Sequence, residues 1–110
     1  MPNLKIYVDV QLLADCQPAL VAALVPLRAH LCEALKVDIA ACQFAILSAV
    51  VMPDLPRANV ELHIMPQPDR TRAALTDLAG QIQARISAAT GTRTAVRITT
   101  LDPQGYIALK

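Results

Sequence analysis

One six-residue pattern occurs twice in this chain and limits its possible folds more than any other feature. Residues 3–8 read NLKIYV and residues 59–64 read NVELHI: asparagine, aliphatic, charged, aliphatic, aromatic ring, aliphatic. This alternation is typical of a half-buried strand, and each copy is followed by a helical stripe and a second strand. The sequence therefore predicts one domain, residues 1–110, made of two βαβ pseudo-repeats at 1–52 and 58–110.

The first repeat contains a long apolar helix and an apolar strand. Leucines at positions 20, 24, 27, 31 and 35 recur at helical spacing and form one face of a helix. Asp15 is the predicted N-cap with Pro18 in the first turn, and Pro26 should kink the helix at a cost of about 3 kcal/mol. Cys42–Met52 is almost continuously apolar, which indicates a strand covered on both faces.

The second repeat has clearer helix boundaries. Asp69 or Thr71 can cap its helix, and Gly91 suits the C-terminal stop. A β-branched strand follows at Ala95–Leu101, and Tyr106–Leu109 is predicted to add a short final strand.

This element order predicts an α+β fold in which two tandem βαβ units form a four-stranded mixed sheet. Each unit pairs its two strands in parallel through a right-handed crossover, and both helices cover one face of the sheet. The other face is expected to be apolar and to need other subunits as its cover. A ferredoxin-like βαββαβ domain has the same element order and is the alternative.

Composition narrows the function classes. Hydrophobic residues make up 55% of the chain and charged residues 17%, an apolar excess that favours subunit interfaces. A net charge of +1 lacks the basic character of a nucleic-acid-binding protein. The uninterrupted apolar runs are shorter than a membrane span, and no signal peptide is recognisable. Three cysteines without CxxC spacing indicate reduced thiols in a cytoplasmic protein.

Pro2 stands directly before the first predicted strand. Proline is tolerated at a strand's first position, where its missing N–H breaks no ladder. If Met1 is removed, however, Pro2 becomes a secondary amine, and burial would keep that amine neutral and able to act as a base near pH 7. Pro2 is therefore the candidate general base and acid.

The second repeat, Val60–Tyr106, resembles the 4-oxalocrotonate tautomerase family along its whole length. The likeness rests on the strand VELHIM, the helix-start Arg70 in PDRTRAAL, the strand Arg97 in AVRITT and the ring residue Tyr106 in QGYIAL. The start MPNLKIYV and the two-unit length resemble the family's duplicated members, which include 5-carboxymethyl-2-hydroxymuconate isomerase and macrophage migration inhibitory factor.

The resemblance implies a homotrimer whose sheets surround a central channel. It also implies a keto–enol tautomerase or isomerase that uses no cofactor or metal and acts on a small 2-oxo or 2-hydroxy-dienoic acid. Pro2 would move the proton, and Arg70, Arg97, Lys36 and Tyr106 would bind the substrate's carboxylate and oxyanion. Arg72 is a second candidate for the loop arginine, because the loop is longer here than in the family.

Two departures from the family pattern leave alternatives open. The first repeat has no arginine after its first strand or on its second strand. A non-catalytic oligomeric small-molecule-binding or interaction protein on the same fold is therefore the second hypothesis. Arg97 could also simply pair with a carboxylate such as Glu61. No nucleophile–base or metal-ligand spacing occurs in the sequence.

Overall fold

The computed structural model describes every residue from Met1 to Lys110, and its main elements follow the predicted order. The elements are β1 (Asn3–Asp9), α1 (Val10–Leu35), a 3₁₀ turn (Ile39–Ala41), β2 (Gln43–Ala49), β3 (Ala58–Ile64), α2 (Arg72–Thr90) and β4 (Thr94–Thr100).

The four strands form one mixed sheet in the order β2-β1-β3-β4. β1 pairs with β2 in parallel and β3 pairs with β4 in parallel, whereas the central pair β1–β3 is antiparallel. A helix joins the two strands of each parallel pair, as predicted for a βαβ unit. The ferredoxin-like alternative is wrong, because it requires a hairpin between β2 and β3, and β2 pairs with β1 alone.

Both helices pack on one face of this sheet, as the sequence predicts. Alternate residues of the central strands point towards the helices, and the predicted apolar stripes of α1 and α2 point back. The fully buried residues of this core include Leu4, Ile6, Val8, Leu20, Leu27, Leu31, Val60, Leu62, Ile64, Ile82 and Ile86.

The start of α1 differs from the prediction. The N-cap is Asp9 rather than Asp15, and its carboxylate accepts a hydrogen bond from the N–H of Gln11 at 3.0 Å. Pro18 therefore lies inside the helix, which continues without a break through both Pro18 and Pro26. Both prolines are exposed, so the carbonyl groups that lose an N–H partner can be hydrated instead.

By length and composition, α1 could also cross a bilayer. The uninterrupted apolar runs in the sequence are too short to have predicted this. The leucine stripe of α1, including Leu20, Leu27 and Leu31, is fully buried in the core with the central strands. The core helix of a soluble protein meets the same criteria of length and composition. Only 17% of the apolar window of α1 is buried, so the helix packs on the sheet through one stripe and the rest of its surface is exposed.

The face of the sheet turned away from the helices is polar, which corrects the prediction of an apolar face. Its central row places Lys5 opposite Glu61 and Glu61 opposite Arg97. The next row consists of Gln43, Asn3, His63 and Thr99. A polar face of this kind can be hydrated, so it does not by itself require a cover.

Apolar surface is exposed instead at the β2 edge and in the C-terminal tail. The prediction that β2 is covered on both faces is wrong for the single chain, because β2 is an edge strand with no buried residue. Val21 and Val25 on α1 are also exposed. The predicted strand at Tyr106–Leu109 does not form: residues 101–110 contain only a turn, and Ile107 and Leu109 are exposed.

Candidate active site

The strand directions give the sheet two ends with different chemistry. β1 and β2 begin, and β3 and β4 finish, at one end, which we call the Pro2 end; the opposite end is called the Asp9 end. Most of the predicted site residues belong to segments at the Pro2 end. These are Pro2 before β1, Lys36 after α1, Arg70 and Arg72 at the start of α2, and Tyr106 after β4.

Pro2 is buried and fixed to the neighbouring strand. Its carbonyl oxygen accepts a hydrogen bond from the N–H of Gln43 at 3.0 Å, which begins the β1–β2 ladder. Its nitrogen is bonded to Met1. That nitrogen is an amide with no basic lone pair while Met1 is attached, and an amine after Met1 is removed.

A cavity of about 660 Å³ opens between α1 and the first residues of β1 and β2. Lys5 and Arg28 bring two positive charges to its lining, Val21 and Val25 bring apolar surface, and no carboxylate lines it. A concave, partly apolar site with unpaired cations suits a small organic anion.

The pKa of the Cys42 thiol depends on burial and on the charges around this cavity. Burial raises the pKa of its thiol to about 12, and the neighbouring Cys32 acts in the same direction, whereas Arg28 and the Met1 amine oppose the rise. Arg28 and Cys42 both line the cavity, which agrees with the effect of the Arg28 charge on this thiol.

Arg70 holds the loop before α2 against the end of α1. Its Nη1 donates to the carbonyl of Met65 at 2.6 Å, and its Nη2 donates to the carbonyl of Leu35 at 3.1 Å. Leu35 is the last residue of α1, where an orphan carbonyl and the negative end of the helix dipole favour a cation. The Nε of Arg70 is buried without a partner. In the single chain, both hydrogen bonds of the Arg70 guanidinium are therefore made to backbone carbonyls.

Lys36 lies beside Arg70 and has a carboxylate partner. It occupies the left-handed position at the end of α1, with φ of 57°, and its Nζ lies 3.0 Å from Asp69. The Lys36 hydrogen bond is the main reason that the pKa of Asp69 is lowered. Both side chains are more than half exposed, so this ion pair can open to admit another anion.

Arg72 and Tyr106 are less constrained. Arg72 is the first residue of α2, is exposed, and its guanidinium has no hydrogen-bond or ion-pair partner. Tyr106 follows the turn after β4, where its N–H donates to the carbonyl of Asp102 at 3.0 Å and its side chain is exposed. Both are available to a ligand or to a neighbouring subunit.

Arg97 does not join this group within one chain. It is exposed on the polar face of the sheet, and its Nη1 donates weakly to Asn59 at 3.5 Å rather than pairing with Glu61. Through Glu61 on β3, Arg97 aligns with Lys5 on β1, two strands away. Lys5 lies three residues after Pro2 in the chain. Strand geometry therefore separates the backbone of Arg97 from Pro2 by roughly 14 Å.

The sequence argument missed Arg28 and Lys5 as site candidates. Arg28 lies one turn after Val25 on α1 and one turn before Cys32, a position that faces β2 once α1 packs on the sheet. A helical wheel would have found this neighbourhood, but only the β1–β2 pairing shows what it faces. The chain contains no group of three or more metal-ligating side chains.

No protein-family model matches the chain, and no curated protein matches its sequence. Solved structures do match it. A protein of unknown function from Vibrio cholerae O1 biovar eltor has a TM-score of 0.73 at 16% identity over 97% of this chain and 83% of that chain. Macrophage migration inhibitory factor from Toxoplasma gondii has a TM-score of 0.71 at 14% identity over 96% and 95%. A fused 4-OT that forms an asymmetric trimer has a TM-score of 0.69 at 16% identity over 96% and 91%.

These likenesses cover nearly the whole chain, but sequence identity is low, so they establish the fold and nothing finer. The strand order, the two parallel βαβ pairs and the helices on a single face agree with them. The chain has the fold shared by the tautomerases and macrophage migration inhibitory factor.

Proposed function

We propose that this chain is a member of the tautomerase superfamily. It is a cofactor-free keto–enol tautomerase or isomerase that acts as a homotrimer, in the cytoplasm, on a small 2-oxo or 2-hydroxy-dienoic acid. The observation that carries the proposal is the position of buried Pro2: the next residue, Asn3, and its hydrogen-bond partner, Gln43, line a cavity that holds two cations and no carboxylate. The matching fold supports it.

Pro2 acts as the base once Met1 has been removed. A free α-amine in water titrates at about 7.7–8.0, and a buried site disfavours its protonated form. The hydrogen bond from Gln43 to the Pro2 carbonyl holds the ring in place. Pro2 is thus a fixed, neutral base near pH 7.

The reaction moves one proton. The Pro2 nitrogen accepts the proton of the enol hydroxyl as the 2-oxo group forms, and the protonated amine then returns a proton to a carbon of the substrate. One proton leaves oxygen and one arrives at carbon, so the amine ends neutral. General acid–base catalysis of this kind contributes about 10²–10⁴-fold in rate.

The substrate's carboxylate is held by cations at the Pro2 end. Arg72 is the loop arginine whose guanidinium has no partner, whereas Arg70 is bonded to two backbone carbonyls. Because Arg72 lines a separate cavity beside β4, it is proposed to hold the substrate of a neighbouring subunit. Arg70 positions the loop that carries Arg72. Lys36 and Tyr106 lie at the same end and can contact the bound acid, and Arg97 contributes to a neighbouring subunit's site.

The unpaired edge of β2 and the surface around it support the proposed association of subunits. An exposed edge strand presents unpaired backbone groups, and natural proteins cover such edges. The exposed Val21 and Val25 add apolar surface beside the same cavity. A neighbouring subunit seated there would enclose the cavity, which supports a site completed between subunits.

The proposal is tested with enol-phenylpyruvate as a simple enol acid. Protein whose mass shows that Met1 is absent should convert it to the ketone well above the buffer rate. Pro2→Ala, which keeps only a less constrained primary amine, should lower kcat by about tenfold or more while leaving KM nearly unchanged. Equal rates for protein and buffer, in both chains, would contradict the tautomerase proposal.

The contacts of Arg70 favour a second candidate function, a non-catalytic binding protein on the same fold. Two of its donors already bind backbone carbonyls, which leaves fewer cations for a substrate. In that case the protein should bind phenylpyruvate in calorimetry without accelerating its ketonisation. Turnover that depends on Pro2 would contradict this alternative.

A further inference from the structure

Two of the three cysteines come together at the Pro2 end. Cys32 lies in the last turn of α1 and Cys42 directly before β2, and their Sγ atoms are 2.6 Å apart. Both thiols are free, with 5% and 7% of each residue exposed. The third cysteine, Cys16, lies four turns of α1 earlier and shares no contact with the pair. The 2.6 Å between the Sγ atoms of Cys32 and Cys42 is shorter than the usual distance between non-bonded sulfur atoms.

We propose that Cys32 and Cys42 form a reversible disulfide, a site of thiol oxidation at the Pro2 end of the sheet. The oxidant is a small-molecule disulfide of the glutathione type. The proximity of the two sulfurs carries the proposal, because disulfide formation requires both side chains to point at each other over a short distance.

The exchange balances as two substitutions. The Cys42 thiol loses its proton and attacks one sulfur of oxidised glutathione, which breaks the glutathione S–S bond and releases one reduced glutathione. The Cys32 thiol then loses its proton and attacks the Cys42 sulfur, which releases the second glutathione. The two protein thiols are oxidised to one disulfide, and the two glutathione thiols carry away the electrons.

The cavity provides a route for the oxidant, because Cys42 is part of the lining of the 660 Å³ cavity. Burial raises the pKa of Cys42 to about 12, so the Cys42 thiol is protonated at neutral pH. Since thiolates are the reactive species, oxidation should be slow near pH 7 and should accelerate as the pH rises. Dithiothreitol should reverse it.

The disulfide would tie two elements around Pro2. It would join the end of α1 to the residue before Gln43, whose N–H binds the Pro2 carbonyl. The chain between the two cysteines contains the last three residues of α1, the 3₁₀ turn and the residues that join them. Closing this loop restricts the unfolded chain and should raise thermal stability.

The test compares the whole protein with three single variants, each incubated with oxidised glutathione and then denatured for thiol counting. Wild type should fall from three thiols to one, with a mapped peptide joining Cys32 to Cys42. Cys16→Ser, the matched control, should fall from two thiols to none. Cys32→Ser and Cys42→Ser should form no disulfide within the chain.

Oxidation should also raise the Tm of wild type and Cys16→Ser by roughly 5–10 °C, and dithiothreitol should reverse the rise. Peptide mapping of the wild type alone decides the proposal if a variant fails to fold. Three unchanged thiols, a stable glutathione adduct, a disulfide that includes Cys16, or a disulfide between chains would each overturn it.

Discussion

The Asp9–Arg57 pair at one end of the sheet and the cavity near Pro2 at the other end differ in how their cations are partnered. At the Asp9 end, Arg57 lies 2.9 Å from the carboxylate of Asp9, which also caps α1, so this cation is matched by an acid. At the Pro2 end, Arg72 has no partner, and Arg28 and Lys5 line a cavity without a carboxylate. Cations that line a concave, partly apolar site without a carboxylate are free to bind an anionic ligand, which is the physical reason to assign function to that end.

Arg70, unlike Arg28 and Arg72, has hydrogen-bond partners, and its removal should have the largest effect on stability. Arg70→Ala deletes two charge-assisted hydrogen bonds and leaves the Leu35 and Met65 carbonyls without that donor. The free energy of unfolding should fall by about 2–4 kcal/mol. Urea denaturation measures it, with Arg72→Ala as the control that should change stability little. Equal losses in the two variants would show that Arg70 has no special structural role.

Removal of Arg72 should weaken substrate binding and leave stability nearly unchanged. Arg72→Ala should raise KM for enol-phenylpyruvate by about 10–50-fold, because one charged hydrogen bond to the carboxylate is lost. Arg93→Ala is the matched control: Arg93 is an exposed arginine without a partner at the Asp9 end. A KM that shifts equally in both variants would mean that general charge, rather than position, attracts the substrate.

The smallest expected effect is the pH dependence of stability at the Asp9 end. A hydrogen bond from the N–H of Gln11, followed by the Arg57 guanidinium, lowers the pKa of Asp9 from 3.8. A depressed pKa contributes stability above the unfolded value, and this stability disappears as the pH falls through the folded value. Asp9→Asn keeps a capping oxygen but loses the charge, so its Tm should approach that of wild type in acid.

Thermal unfolding at about pH 6 and about pH 3 measures this difference. Asp54→Asn is the control, because Asp54 is exposed and has no ion-pair partner. A gap between wild type and Asp9→Asn that stays constant with pH would contradict the assignment of this ion pair. Asp69→Asn should behave like Asp9→Asn at the Pro2 end, because Lys36 lowers the pKa of Asp69.

Much of the fold was predictable because the local signals agreed with the tertiary ones. β1 and β3 carry clean alternation, and α2 begins after Thr71, one of its two predicted caps, and stops at the predicted Gly91. The predicted duplication at 1–52 and 58–110 remains a prediction. The start of α1 was wrong, because Val10 follows β1 with no turn residue and only the Asp9 side chain marks the change.

The polarity of the open face and the exposure of β2 were mispredicted for one reason. Burial was inferred from apolar content, but the position of a strand in the sheet decides it, and β2 is at an edge. The meeting of Cys32 with Cys42 could not be predicted either, because it depends on how the end of α1 docks at the start of β2. The predicted site residues were found from a family resemblance, and their roles remain proposals.

The most direct test compares two preparations of one sequence, one with Met1 removed and one that retains it. Every other residue is identical, so only the chemistry of the Pro2 nitrogen changes, from amine to amide. The account predicts that kcat/KM for enol-phenylpyruvate is at least about 100-fold higher without Met1. Equal values in the two preparations would contradict the claim that the Pro2 amine moves the proton.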